Sequence, residues 1–167
     1  MFPILKERIF KQTFSQIFLE NKKITLFSIQ HESHAIAAIK IFKDNPILGI
    51  GPKNFRFECK NKDYDISKFS CSTHPHNFYI QLLSETGLLG VIIPLIFLFN
   101  ILKFYIKNFL KKINTRLNDI NIMEICLYSY FLLTFFPFIP TGNIFNNWLS
   151  IIFYLPLGFL LNFKKND

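Results

Sequence analysis

The fold is decided by residues 73–102, THPHNFYIQLLSETGLLGVIIPLIFLFNIL, in which a polar beginning runs into an apolar stretch. No Asp, Glu, Lys or Arg occurs from Thr86 to Leu102, and none occurs from Ile125 to Phe163. Uncharged stretches of about 18 or more apolar residues are typical of helices that cross a membrane. Half of the 167 residues are hydrophobic and 22 are Phe. The sequence therefore predicts an all-α integral membrane protein.

The uncharged stretches predict three C-terminal transmembrane helices, at about 86–106, 123–140 and 148–163. A helix that begins near His76 and continues to about Ile106 is about 45 Å long, which exceeds the ~30 Å hydrocarbon core. We therefore expect its first three turns to lie outside the membrane core. Pro94 predicts a kink within it.

The distribution of Lys and Arg predicts the orientation. Residues 103–116 contain five of them and residues 164–165 contain two, whereas 141–147 contain none. Because cytoplasmic loops are enriched in Lys and Arg, the basic loop and the C-terminus are expected in the cytoplasm. The chain then divides into a mostly helical loop segment, 1–75, on the outer side, which in a Gram-negative cell is the periplasm, and a transmembrane region, 76–167, in the inner (cytoplasmic) membrane.

The loop segment 1–75 is basic, with twelve Lys or Arg and seven Asp or Glu. A basic external segment beside a membrane favours anionic partners such as lipid phosphates or pyrophosphates, and a solvated basic surface is the alternative. Nucleic acid is not expected as a partner, because the membrane topology accounts for much of the net charge of +8.

Two pairs of residues in the loop segment predict local structure. Cys59 and Cys71 would lie in an oxidising compartment, which favours a disulfide. A zinc site that adds His74 and His76 is the alternative, but its spacing is not a familiar one, and no metal is predicted. Gly49 and Gly51 indicate a turn with positive φ, because no Gly-Lys-Ser/Thr follows to complete a phosphate loop.

In a helix that begins at His76, positions 76, 80, 83, 87 and 90 share one face. Gly87 and Gly90 would leave this face open to a neighbouring helix or a lipid chain. Glu85 points away from His76 and shares a face with Gln81, so we expect it to contact the loop segment. A histidine at the water interface suits a general base, and a structural hydrogen bond is the alternative that the residues leave open.

The pattern His76-Asn77-x9-Gly87-x2-Gly90 resembles the signature of the O-antigen ligase and O-antigen polymerase family of bacterial membrane glycosyltransferases. Residues 40–55, KIFKDNPILGIGPKNF, and 136–148, FPFIPTGNIFNNW, resemble two further segments of that family in the same order. The resemblance implies a multi-span, all-helical enzyme of lipopolysaccharide or polysaccharide biosynthesis. Such an enzyme transfers a glycan from undecaprenyl diphosphate to a sugar hydroxyl, without a metal or other cofactor.

The resemblance also implies roles for individual residues. His76 would be the base that activates the acceptor hydroxyl, and arginines of the loop would hold the departing diphosphate. Many relatives carry an arginine where this chain has His31-Glu32-Ser33-His34. The expected ligands of the diphosphate or the acceptor are therefore Arg56, Lys53, His74, Asn77, His31 and His34. The expected partners are the lipid-linked donor glycan, a lipid-linked or glycan acceptor, and membrane lipids.

Relatives have many more membrane spans than the three predicted here. We therefore expect the chain to be the C-terminal portion of such an enzyme, with further spans supplied by the same protein or by a partner subunit. The alternative is a non-catalytic truncated membrane protein or a partner-dependent subunit. A third hypothesis is a metal-binding membrane sensor that uses all four histidines. Ligase and polymerase fit the sequence alike, because both use the same donor.

Overall fold

The structure of the chain is a computed structural model that describes residues 28–114 and 122–166. These residues form helices and contain no β-strand, which confirms the predicted all-helical class for this part of the chain. The first 27 residues of the predicted loop segment lie outside the described residues. The helices are α1 (Ile29–Asp44), α2 (Phe55–Glu58), α3 (Phe78–Asn114), α4 (Ile122–Thr134) and α5 (Asn147–Asn166).

Within the described ranges, α3 alone is both long and apolar enough to cross a membrane. Its segment Phe78–Leu110 reaches a mean hydropathy of 2.2, and α4 and Asn147–Asn162 are shorter apolar helices. Large apolar side chains on α3 face outward, with Ile93 72% and Phe99 66% exposed. The stretch predicted as a span at 123–140 is helical only as far as Thr134, because turns follow in the Pro-containing residues after it.

Helix α1 presents a face of small and branched side chains to the rest of the loop segment. Ser28 caps the helix by accepting a hydrogen bond from the backbone N–H of His31 over 3.3 Å. Ala37, Ala38 and Ile41 are fully buried in a core that also contains Phe55 and Cys59. The helix ends at Asp44, as expected for a residue shortly before a proline.

The predicted start of helix α3 at His76 is wrong. The helix begins at Phe78, and His76 has φ 60°, in the left-handed region. Asn77 caps the helix, because its Oδ1 accepts a hydrogen bond from the Ile80 N–H over 3.1 Å. His76 therefore lies outside the helix. The expectation that it shares a helical face with positions 80, 83, 87 and 90 is wrong.

Helix α3 is also interrupted, at Gly87, where φ is 63° and ψ is −162°. The single continuous helix expected for residues 76–106 is therefore wrong. A Cβ atom at Gly87 would lie 2.3 Å from the carbonyl oxygen of Ile47, and one at Gly49 would lie 2.5 Å from the backbone of Glu85. Only glycine permits this approach and this φ. The expected positive φ at Gly49 and Gly51 is confirmed.

Residues 46–51 fill the interruption of α3 with backbone hydrogen bonds, and we call them the insertion loop. The N–H groups of Ile50 and Gly51 donate to the carbonyls of Ser84 and Glu85 over 3.1 and 2.8 Å. On the other side of the break, the carbonyls of Pro46 and Ile47 accept from Leu88 and Leu89 over 2.9 and 3.4 Å. Backbone groups that the break would leave unpaired thus find partners in the loop.

Aromatic side chains join α3 to α4, α5 and the turn between them. Phe78 lies edge-on to Phe135 with ring centroids 5.2 Å apart, and Phe97 lies edge-on to Phe131 at 5.1 Å. Farther along α3, Ile101 is fully buried beside Tyr128 and Leu160. This packing holds the residues between α4 and α5 against the beginning of α3, where the histidines lie.

The disulfide between Cys59 and Cys71 joins the end of α2 to the irregular segment that leads to His74 and His76. The two Cα atoms are 5.2 Å apart, and Cys59 is fully buried. Tyr64, within the closed loop, donates from its hydroxyl to Asp44 over 2.9 Å. The segment before His74 is therefore attached covalently to the core around α1.

Candidate functional site

Four histidines from two distant parts of the chain meet in one cluster. The ring centroid of His76 lies 4.1 Å from that of His74, 5.2 Å from that of His31 and 5.3 Å from that of His34. His31 and His34 are 6.4 Å apart. His76 is thus the central ring, in contact with both the α1 pair and the neighbouring loop residue.

The backbone of His76 is fixed by the turn that follows α4. Its carbonyl accepts a hydrogen bond from the Thr141 N–H over 3.0 Å, and Asn77 forms a β-bridge with Pro140. Neither ring nitrogen of His76 has a hydrogen-bond partner in the described part of the chain. The side chain lines a cleft of about 50 Å³ with His31, Ala35 and Phe138. The imidazole is thus held in place through its backbone while its nitrogens stay available to a ligand.

His74 differs from His76, because both of its ring nitrogens form hydrogen bonds. Nε2 lies 3.2 Å from the carbonyl oxygen of Thr141, and Nδ1 lies 2.9 Å from the Thr73 hydroxyl. A carbonyl oxygen can only accept, so Nε2 carries the proton and Nδ1 of the neutral ring accepts from Thr73. These two hydrogen bonds fix the tautomer and the orientation of the His74 ring at one side of the cluster.

His34 is nine-tenths buried, at 8% exposure, on the face of α1 that packs against the cluster. Its Nδ1 is buried and has no hydrogen-bond partner among the described residues. The preceding residue, Ser33, accepts from the Ser67 hydroxyl over 3.0 Å, which attaches this part of α1 to the loop closed by the disulfide.

Three imidazoles of the cluster, those of His34, His74 and His76, have lowered pKa values, which favours their uncharged forms. Burial lowers the pKa of His76, and the charges of His74 and His31 lower it further. Burial likewise lowers the pKa of His34, with added effects of His76 and His31. For His74, burial and the charges of His34 and Arg56 lower the pKa, while the bond to Thr141 opposes them. Neutral imidazole is the form that can accept a proton.

The other residues expected at the site lie around this cluster. Asn77 uses Oδ1 to cap α3 and Nδ2 to donate to the Pro137 carbonyl over 2.7 Å. Arg56 is close enough for its charge to lower the pKa of His74, and its buried Nε has no partner among the described residues. Lys53 is exposed in the turn before α2, with φ 63°.

A buried polar network beneath the cluster was not assigned to the site from the sequence. The Gln81 amide nitrogen donates to Glu85 over 2.9 Å and to Asn143 over 2.8 Å, while its oxygen accepts from the Ile144 N–H over 3.2 Å. The other carboxylate oxygen of Glu85 accepts from the Phe55 N–H over 3.0 Å. The expected contact of Glu85 with the loop segment is thus observed. The spacing of Gln81 and Glu85 predicted only that they share a face of the helix, and nothing in the sequence indicated Asn143.

The described residues contain no group of three or more His, Cys, Asp or Glu side chains that could hold a metal ion. Two of the residues in the alternative zinc site, Cys59 and Cys71, are joined to each other.

Residues 29–95 match the family model described as O-antigen ligase. The family resemblance is confirmed for this segment. The O-antigen ligase segment makes up about two fifths of the chain and contains all four histidines, Arg56 and both glycines of the insertion loop. Proteins of this family are associated with membranes and act on lipid-linked glycans. Residues 136–148, for which the sequence also suggested a resemblance, lie outside the matched segment. Searches of curated proteins and of solved structures gave no match.

Proposed function

We propose that the chain is the C-terminal part of an O-antigen ligase or polymerase-like enzyme, with His76 as its general base. The enzyme transfers a glycan from undecaprenyl diphosphate to a sugar hydroxyl at the periplasmic face of the inner membrane. The observation that carries the proposal is the state of His76 inside the O-antigen ligase segment. Its pKa is lowered by burial and by neighbouring imidazoles, and its ring borders a cleft.

In the proposed step, an unprotonated ring nitrogen of His76 accepts the proton of the acceptor hydroxyl. The acceptor oxygen forms a bond to the anomeric carbon of the donor glycan while the bond from that carbon to the diphosphate oxygen breaks. The diphosphate leaves with the electron pair. A positioned base contributes about 10²–10⁴-fold to the rate of such a step.

The charged and polar residues near the cluster have distinct roles in this proposal. Arg56 stabilises the departing diphosphate, because its guanidinium lies near His74 and has an unpartnered Nε. Lys53 adds positive charge at the exposed rim. His74 and Asn77 orient His76 through their hydrogen bonds to the turn after α4, at Thr141 and Pro137.

The proposed topology follows from charge and apolar surface. Three spans place the loop segment, 1–75, in the periplasm and the basic residues 103–116 in the cytoplasm. The outward-facing apolar side chains of α3 and α5, including Phe109 at 66% and Trp148 at 80% exposure, support contact with lipid or with further helices. Helices α4 and α5 then complete the transmembrane region, 76–167.

The test is the variant His76→Ala in the full-length protein in its native membrane. Transfer of glycan to the acceptor should fall by at least about 100-fold while the amount of protein in the membrane is unchanged. Lys62→Ala, at an exposed residue in the loop that the disulfide closes, is the matched control and should retain transfer. Undiminished transfer by His76→Ala would refute the proposed base.

A further inference from the structure

The insertion loop presents two large apolar side chains to its surroundings. Ile47 is 63% exposed and Leu48 is 70% exposed, and we call these two residues the loop tip. No Asp, Glu, Lys or Arg occurs in residues 45–52 around them. The loop tip is thus an apolar surface within the basic loop segment, which the core around α1 leaves uncovered.

Hydrogen bonds hold the loop tip at a defined level of α3. The carbonyls of Pro46 and Ile47 accept from the N–H groups of Leu88 and Leu89, whose side chains are 48% and 54% exposed. Apolar side chains of the loop and of the helix are therefore exposed side by side, and contiguous apolar surface of this kind marks contact with protein or lipid. The uncharged part of α3, 86–102, is about 26 Å long and so nearly matches the ~30 Å hydrocarbon core. The loop tip lies within the first turn of that part.

The backbone of the insertion loop is suited to an environment without water. Pro46 has no N–H group, and the N–H groups of Gly49, Ile50 and Gly51 all donate to backbone carbonyls. The Ile50 carbonyl accepts from the Asn54 side chain over 2.7 Å. Irregular backbone is tolerated at membrane depth where the protein itself pairs its polar groups. These bonds thus lower the cost of placing the loop among acyl chains.

The charges beside the loop match the surface of a bilayer. Lys43 and Lys53 are both exposed, one on each side of the uncharged residues 45–52. The neighbouring carboxylate, that of Asp44, accepts a hydrogen bond from the Tyr64 hydroxyl. Lysine side chains can extend to lipid phosphates while apolar residues beside them contact the acyl chains. An apolar tip between two exposed cations therefore favours lipid as the partner of this surface.

We propose that the insertion loop is immersed in the outer leaflet of the membrane, where the loop tip contacts phospholipid acyl chains. The inference rests on the proposed topology, in which α3 crosses the bilayer and the loop segment lies on its outer side. It adds a second place, next to α3, at which the loop segment enters the membrane. Lys43 and Lys53 then lie at the level of the headgroups.

The immersed loop would fix the height of the histidine cluster above the membrane. Helix α1 and the chain around the start of α3 lie side by side in opposite directions and contact each other at both ends. At one end the ring centroids of His34 and His76 are 5.3 Å apart, and at the other the Pro46 carbonyl accepts from the Leu88 N–H. Twelve residues separate the two contacts in each part of the chain, about 18 Å in a helix. The cluster is thus held outside the hydrocarbon core at a distance that the loop determines.

Tryptophan fluorescence of the full chain in lipid nanodiscs tests the immersion. Trp148→Phe removes the single tryptophan of the chain, and Leu48→Trp then places one reporter at the loop tip. Phe99→Trp is the reference in α3, because Phe99 is 66% exposed and lies three residues from the far end of the uncharged part. Lys62→Trp, in the loop that the disulfide closes, is the water-exposed control. The quenchers are phosphatidylcholine brominated near the carboxyl end of its acyl chains, and aqueous iodide.

The brominated lipid should quench the Leu48→Trp variant at least about half as strongly as the Phe99→Trp variant, because both positions lie near an edge of the hydrocarbon core. Iodide should quench it far less than it quenches the Lys62→Trp variant. Strong quenching by iodide would overturn the proposal, because the loop tip would then lie in water. Quenching by neither agent would overturn it too, because further helices or a second copy of the chain would then cover the tip.

Two further variants keep the outcome unambiguous. Ile47→Trp repeats the test at the neighbouring exposed position if Leu48→Trp lowers the melting temperature. Iodide quenching of the Phe99→Trp variant would refute the proposed topology together with the immersion, whereas lipid quenching there and iodide quenching at the loop tip would refute the immersion alone. Glycan transfer is a separate measurement, so the proposed base and the immersed loop can fail independently.

Discussion

Gln81 and Glu85 form a hydrogen bond of 2.9 Å between two completely buried side chains, one helical turn apart on α3. Glu85→Ala would leave the Phe55 N–H without its acceptor and remove one of the two acceptors of the Gln81 amide. An unpaired buried donor costs about 1–3 kcal/mol, so the apparent melting temperature in detergent should fall by several degrees. Glu32→Ala, an exposed carboxylate on α1, is the control. Equal melting temperatures for the two variants would contradict the proposed importance of this network.

Gly87 and Gly158 offer a matched pair of glycine substitutions. Gly87→Ala requires a side chain at φ 63° and a Cβ atom 2.3 Å from the Ile47 oxygen, so the insertion loop must move out of the break. At Gly158, which is inside α5, a Cβ atom would have no neighbour within 4 Å among the described residues. Alanine is favoured over glycine in a helix by about 1 kcal/mol, so Gly158→Ala should be neutral or stabilising. Thermal unfolding of both variants checks this, and a fully stable Gly87→Ala would show that the loop does not need the break.

The disulfide between Cys59 and Cys71 should contribute about 3 kcal/mol, by the chain-entropy estimate for a loop of this size. Reduction, or the double variant Cys59→Ser and Cys71→Ser, should lower the free energy of unfolding by about that amount. Cys126→Ser, which removes the exposed free cysteine on α4, should change little and is the control. The measurement is denaturant unfolding with and without reductant. A wild type insensitive to reductant would contradict the prediction, provided that thiol titration confirms complete reduction.

Stability should depend on pH through the histidine cluster. The pKa values of His34, His74 and His76 are lowered in the folded protein, whereas an unfolded histidine has a pKa of about 6.5. The unfolded chain therefore binds more protons as the pH falls below about 6.5, and the folded state loses stability there. Above about pH 6.5 the contribution is complete.

Melting temperatures at pH 5.5 and 7.5, in buffer without phosphate or sulfate, test this dependence. The wild type should be less stable at pH 5.5, and His34→Gln should reduce the difference, because glutamine does not titrate. Comparing the two proteins cancels the titration of carboxylates that both share. A difference of the same size in both would contradict the prediction for His34.

The helical class and the approximate apolar segments could be predicted from the sequence because they depend on local composition. The break at Gly87 could not, since a glycine within an apolar helical pattern is compatible with a continuous helix. Its positive φ is stabilised by the insertion loop, which lies far from it in sequence. The predicted positive φ at Gly49 and Gly51 belongs to that same loop, but the spacing of the two glycines does not reveal what the loop packs against.

The candidate site, like the fold, could be predicted from the sequence only where it depends on residues that are close together in the chain. His74 and His76 stand close together in the sequence and could be selected together. His31 and His34 reach them only because Ala37 and Ala38 let α1 pack closely in the core of the loop segment. Asn143 joins Gln81 through the turn between α4 and α5, a contact that residue type and spacing do not encode. His76 lies outside the helix because Asn77, which caps helices readily, precedes its first residue, Phe78.

Two hydrogen bonds between the insertion loop and α3 can report how firmly the loop segment is attached to this helix. The amide hydrogens of Leu88 and Leu89 belong to α3, yet their acceptors, the carbonyls of Pro46 and Ile47, lie in the insertion loop. Hydrogen exchange at these two amides requires the loop to leave the break, whereas exchange farther along α3 requires the helix itself to open. A ligand that tightens the loop segment around the histidines would thus slow exchange at Leu88 and Leu89 selectively.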